Sequence, residues 1–205
     1  MSAQRRFVRR TVLAVTATVA ALTLAACGGD GDKASSGSET GTASTSATGG
    51  HNAADISFSK DMIQHHRQAV EMAGLAAGHA SSTQVKSLAT KIEGAQGPEI
   101  KTMSGWLTSW GEQVPEDMSG MDHAMSSSTP GMMSDADMTK LEKASGTAFD
   151  AMFLTMMVDH HEGAVEMAKT EKANGKYQPA TKLAADVITA QSAEIAQMNK
   201  MLGKS

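Results

Sequence analysis

From residue 58 onwards the chain repeats itself at a constant offset of 95 residues. Phe58, Met62, His65, His66, Ala69, Val70, Glu71, Met72 and Ala73 recur as Phe153, Met157, His160, His161, Ala164, Val165, Glu166, Met167 and Ala168. The register then runs on without a gap. Leu88, Ala89, Ala95, Gln96, Glu99, Ile100, Met103 and Leu107 recur as Leu183, Ala184, Ala190, Gln191, Glu194, Ile195, Met198 and Leu202. Identities at this density in one ungapped register are an internal duplication, and the fold must be built from two copies of one unit.

Each copy reads as a helical hairpin. Phe58, Met62, His65, Ala69, Met72 and Ala76 step by four and three in alternation, so they share one helix face. Leu88, Ile92, Gln96, Glu99, Met103 and Trp106 or Leu107 do the same on a second helix. Stop signals agree with that division. Gly78 precedes a Ser81-Ser82-Thr83 cap, and Asn174-Gly175 closes the third helix before Pro179 opens the fourth. Aromatic residues make up only 3%, too few for a β-sandwich core, whereas Ala and the 16 Met suit close-packed helices. The expected fold is all-α: a four-helix bundle of two duplicated hairpins, copy one at 55–110 and copy two at 147–205. A long Met-rich link at 111–146 separates them and carries a short helix near Asp137 to Ala144. One long middle link suits a ferritin-like bundle, with a simple up-down-up-down order as the alternative.

The N-terminus reads as an address. Arg5, Arg6, Arg9 and Arg10 precede an apolar run from Thr11 to Ala26 that is short for a bilayer span. Leu24-Ala25-Ala26-Cys27 looks like a bacterial lipobox, so residues 1–26 are expected to be a lipoprotein signal peptide and Cys27 the lipidated residue. Such a chain is anchored to the cell membrane on its extracytoplasmic face. Residues 27–54, nearly all Gly, Ser, Thr, Ala and Asp, should form a disordered tether. Without residues 1–26 the chain keeps 14 basic against 22 acidic residues, a net charge of −8, the opposite of a nucleic-acid binder. Cys27 is the only cysteine, which excludes an internal disulfide and a cysteine metal cluster.

Three polar residue types interrupt the apolar seams, each in both copies: His65 and His160, Gln96 and Gln191, Glu99 and Glu194. Steps of 100° turn His65 inward, with His66 flanking it, and set Glu99 inward on the second helix beside Met62 and Met103. The pattern therefore sets His65 opposite Glu99, and His160 opposite Glu194. Burying such groups is costly unless they pair or coordinate something. They are either structural His–Glu pairs or metal ligands, the ligand set then being His65, His66, His160, His161, Met62, Met157, Met103, Met198, Glu99 and Glu194. In the link, Met118, Met121, His123, Met125, Met132, Met133 and Met138 stand among Gly, Ser, Asp and Pro, where no core calls for them. Thioethers favour Cu(I) and Ag(I), and an imidazole adds a ligand that also suits Cu(II). The link is thus a candidate second, looser site.

On these residues the chain resembles the domain-of-unknown-function 305 family of bacterial exported proteins. The resemblance spans residues 55 to 205. It rests on Phe58-x3-Met62-x2-His65-His66-x2-Ala69-x2-Met72-Ala73, on Phe153-Leu154-x2-Met157-x2-His160-His161-x-Gly163-Ala164-x2-Met167-Ala168, and on the Gln-x2-Glu-Ile-x2-Met segments. It implies a ferritin-like four-helix fold, and some members of that family are linked to copper or silver binding and tolerance.

Three functions compete at this point. The first is an extracytoplasmic metal-binding lipoprotein that sequesters copper, chiefly Cu(I), or passes it to a donor or acceptor protein; iron and zinc stay open as ligands. The second is a ferritin-like di-metal oxidase, which would need four carboxylates and Glu-x-x-His on two helices, where only one inward Glu per copy is evident. The third is a structural or partner-binding module. No nucleophile elbow, phosphate loop or dinucleotide fingerprint stands in a convincing context.

Overall fold

The computed structural model describes residues 50–117 and 129–204. Cys27, the signal segment and tether up to residue 49, and Met118, Met121, His123 and Met125 lie outside the described residues. Five helices follow one another: α1 (Ala53–His79), α2 (Thr83–Ser109), α3 (Asp135–Lys143), α4 (Gly146–Asn174) and α5 (Gln178–Met201). No helix among the described residues is long and apolar enough to cross a membrane.

Local chemistry sets the helix ends. Asn52 caps α1 by accepting from the Ala54 and Asp55 N–H groups, while the Asp55 carboxylate accepts from the Asn52 N–H and closes a capping box. Ser82 caps α2, and Pro179 stands in the first turn of α5, where its missing N–H costs no helical bond.

α1 packs along α2, α4 packs along α5, and the hairpins meet chiefly through α1 and α4. Small residues allow this central approach: Ala69, Ala73 and Ala76 on α1, and Ala164 and Ala168 on α4, are buried. The order is ferritin-like. Asp55, at the start of α1, receives the Lys176 and Tyr177 N–H groups just beyond the end of α4. Asp150, at the start of α4, receives Ser81 and Ser82 just beyond the end of α1. α1 and α4 are therefore antiparallel, and the link must travel the length of the bundle from the end of α2 to the start of α4. Its described stretches, 111–117 and 129–146, lie against α1. Lys60 meets Glu112, Arg67 donates to the Pro115 and Glu116 carbonyls, Gln68 grips Met133, and the ring of His79 donates to the Ala144 carbonyl.

α3 corrects one sequence expectation. Met138 was assigned to an exposed thioether cluster, yet it is 8% exposed and faces the core together with Leu141. The two lie three residues apart on one side of the short helix, so Met138 is a gap-filler there. Met133 also packs against that core, half-buried, and Met132 beside it is half-buried.

The apolar interior is divided in two. One cluster holds Phe58, Met62, Ile63, Met103 and Leu107 with Ala164, Ala168, Ala184 and Val187. The other holds Ala69, Met72, Ala76, Leu88 and Ile92 with Phe149, Phe153, Met157 and Met198. In sequence His65 and His66 fall between Ile63 and Ala69, and His160 and His161 between Val158 and Ala164. The four histidines thus form the waist between the two clusters.

Candidate metal centre at the bundle waist

All four histidines are completely buried. The rings of His65 and His160 lie against each other across the α1–α4 contact, with centroids 3.7 Å apart and planes at 41°. His66 and His161 turn away from that contact. The Nε2 of His66 lies 2.7 Å from Glu99 Oε2, and the Nε2 of His161 lies 2.7 Å from Glu194 Oε2.

This corrects the pairing read from the helical pattern. The expectation set His65 opposite Glu99 and His160 opposite Glu194; the carboxylates instead hold the neighbouring histidines. The inward direction of α1 points at the bundle axis, where the inward residue of α4 also arrives, so the duplicated residue meets its own copy. One 100° step round, His66 faces α2, the helix to which its own copy joins it.

The hydrogen-bond inventory shows what these rings can still do. A carboxylate only accepts, so the Nε2 atoms of His66 and His161 carry protons and donate them. The Nε2 of His65 lies 3.1 Å from the Pro130 carbonyl oxygen and donates to it. In all three rings Nδ1 is buried without a partner, and His160 has neither nitrogen partnered. The Oε1 atoms of Gln96 and Gln191, both buried, are also without donors. Buried polar atoms usually have a partner, so these rings and amides keep acceptor capacity that their protein neighbours do not use.

Electrostatics keep the inner pair neutral. Burial first, and the neighbouring His66 second, lower the pKa of His65 to about 3. Burial, followed by the other histidines, takes His160 well below the ordinary imidazole range. Neutral rings are the metal-binding form. Buried Met62 and Met103 lie in the cluster on one side of the waist, and buried Met157 and Met198 in the cluster on the other. Met62 stands one turn before His66 and Met103 one turn beyond Glu99, and copy two repeats both spacings. Among the described residues no group of three or more His, Cys, Asp or Glu side chains is arranged to hold a metal by itself. Imidazole combined with thioether is a soft donor set.

A family model described as a domain of unknown function, DUF305, matches residues 55–202. The chain belongs to the DUF305 family. Among solved structures, this DUF305 chain is similar to the DUF305 protein of Streptomyces coelicolor, described as a candidate secreted protein. That match is 32% identical, covers 74% of this chain and 93% of the other, and has a TM-score of 0.66. It is also similar to CopM in its Cu(II)-bound form, at 37% identity, 73% and 95% coverage and a TM-score of 0.63. CopM in its Cu(I)-bound form matches at 34% identity, 72% and 94% coverage and a TM-score of 0.59. No curated protein matches the chain.

Sequence reasoning missed a second set of residues at the ends of the bundle. Asp55 and Asp150 are related by the same offset of 95, and each fastens the start of its own copy to the interhelical turn of the other. Burial opposes ionisation of Asp55, but the N–H groups of Tyr177, Asn52 and Lys176 outweigh it and hold its carboxyl below the usual range. Extending the repeat three residues upstream of Phe58 finds both aspartates. Glu171, buried beside Asp55, has no counterpart, since copy one carries Ala76 at that position. Burial, and then the adjoining Asp55 carboxylate, push Glu171 up to about 8.

These shifts set a pH profile for the metal-free protein. From pH 8 down to about 6.5 the folded state holds a proton on Glu171 that the unfolded chain lacks, so stability rises as pH falls. Below about 6.5 the unfolded chain protonates two imidazoles, His65 and His160, that the fold keeps neutral. Two protons then outweigh one, and stability falls with further acidification. Urea midpoints should peak near pH 6.5, with limbs of at most about 1.4 kcal/mol per pH unit. Glu171→Gln should flatten the alkaline limb and steepen the acid limb, because the two imidazole protons are then no longer offset by the one on Glu171.

Proposed function

We propose that this protein binds copper on the extracytoplasmic side of the cell, anchored through lipid on Cys27, and sequesters or hands on the ion as cargo. The observation that carries the reading is the waist. Fully buried imidazoles with bare Nδ1 atoms flank fully buried methionines in each copy. Cu(I) and Ag(I) favour thioether with imidazole, and the duplication supplies that set twice: His66 with Met62 and Met103, and His161 with Met157 and Met198. In this reading Glu99 and Glu194 orient their histidines by accepting the Nε2 protons, a supporting role often found around metal-ligating histidines. His65 and His160, touching at the centre, join the two halves. Met132 and Met133, near the waist, and Met118, Met121, His123 and Met125 complete the proposal as a looser entry site.

Family relationship supports the same cargo, because CopM has been solved in Cu(II)-, Cu(I)- and Ag-bound forms. A di-metal oxidase is the weaker reading, since Glu99 and Glu194, the carboxylates that the described residues bring to the buried histidines, are occupied by His66 and His161. The test is a Cu(I) titration against a competing chelator, comparing the wild type with a variant in which His65, His66, His160 and His161 are replaced. Affinity should fall at least a hundredfold; unchanged affinity would remove the waist from the proposal.

A further inference from the structure

The two copies differ at several positions beside the waist, and one of these differences stands where the link crosses. Copy one has Gln68; copy two has Gly163 at the equivalent place. Gln68 grips the link from α1. Its Nε2 donates to the Met133 carbonyl at 3.0 Å, and its Oε1 accepts the Met133 N–H at 2.8 Å. Gly163 acts by what it lacks. A Cβ there would stand 2.1 Å from the Pro130 carbonyl oxygen and 2.6 Å from the Gly131 nitrogen, so only glycine lets the link's backbone lie on α4. Gly131 is matched to the same seat. Its φ of 78° is one that side-chain-bearing residues rarely adopt, and a Cβ there would meet the Asp159 and His160 carbonyls at 2.8 Å.

The consequence falls on one ring. The seated turn carries the Pro130 carbonyl that accepts from His65 Nε2. His160, its partner across the waist, has no acceptor in good hydrogen-bond geometry at either nitrogen, its one backbone neighbour of that kind being His65 on the facing helix. Two sequence-equivalent histidines are therefore held differently, and the link makes the difference.

We propose that the Pro130–Gly131 turn, seated on Gly163 and gripped by Gln68, is the positioning element that fixes the His65 imidazole with its proton on Nε2 and its lone pair on Nδ1. His160 stays uncommitted, so copy one supplies a preset ligand and copy two an adjustable one. Gly163 and Gln68 are positioning residues, acting on the metal only through His65. The metal half of this inference rests on the copper reading above; the tautomer half does not.

The two halves separate experimentally in the full-length protein labelled with 15N-histidine. In metal-free wild type, the His65 ring should report a protonated Nε2 whose proton exchanges slowly, and His160 should show no such locked proton. Gly163→Ala should abolish the His65 signature while circular dichroism stays helical. Pro130→Ala, which keeps the backbone carbonyl, should retain it. Should Gly163→Ala fail to fold, Gln68→Ala loosens the same turn without introducing a clash and should speed exchange of that proton. Silver titration of the same variants should show affinity lowered on the order of tenfold where the signature is lost. A folded Gly163→Ala or Gln68→Ala protein with an unaltered His65 signature would overturn the proposal. An altered signature with no Ag(I) binding even in wild type would instead overturn the copper reading and leave the positioning role standing.

Discussion

Exchanging Met62, Met103, Met157 and Met198 together for leucine should abolish tight Cu(I) and Ag(I) binding while leaving a folded bundle. All four side chains are fully buried, and none is on the surface where a soft ion could bind by chance. Leucine nearly conserves volume and apolarity, so each exchange should cost less than about 1.5 kcal/mol in stability. What it removes is the sulfur. If the methionines are only core filling, the variant loses nothing that a metal titration can read. If they complete the coordination of His66 and His161, affinity should fall by at least two orders of magnitude. A competition titration gives the affinity, and a urea melt of the same sample shows that the loss is not unfolding.

The second large effect concerns the ends of the bundle. Replacing Asp55 with alanine leaves the Lys176 and Tyr177 N–H groups without their acceptor and opens the α1 capping box; replacing Asp150 strands those of Ser81 and Ser82. Bonds from N–H to an ionised group contribute about 1.5–3 kcal/mol each, and stranding a buried donor is costlier than never having the pair. Each substitution should therefore destabilise the fold by roughly 3 kcal/mol. The two clasps sit at opposite ends of α1 and share no partner, so their effects should add in the double variant. Urea midpoints measure this directly. A loss below about 0.5 kcal/mol in either single variant would be that of an ordinary surface change and would contradict the clasp.

Most of the architecture was legible because a duplication constrains more than any propensity does. The spacing of Phe58, Met62, His65, Ala69, Met72 and Ala76 gave the α1 face, all six of which are buried. The Ser82 cap and the Asn174-Gly175 stop lie where their chemistry put them. Topology was less accessible. Nothing local in the described parts of the link, 111–117 and 129–146, says that they lie against α1, because that placement is set by contacts at Arg67, Gln68 and His79, far away in sequence. The site was half-read for a similar reason. A wheel gives directions about one axis, so it turned His65 inward correctly, but it could not say that the residue waiting there is His160 and not Glu99. Asp55 and Asp150 escaped notice because their partners are backbone N–H groups of the opposite copy, which carry no residue signature. Met138 was misjudged from its polar neighbours, although Leu141 one turn on marks the face that is buried.

In the proposed function the folded waist, and not loosely held methionines alone, takes the soft metal. A ligand that prefers the folded state must stabilise it, by about 2.7 kcal/mol at a hundred times its dissociation constant. Urea unfolding of the protein with and without Ag(I) reads this out. The midpoint should rise with Ag(I) concentration in the wild type and stay fixed in the variant lacking the four waist histidines. A wild-type midpoint unmoved by Ag(I), in a sample shown by dialysis to have bound it, would contradict the account.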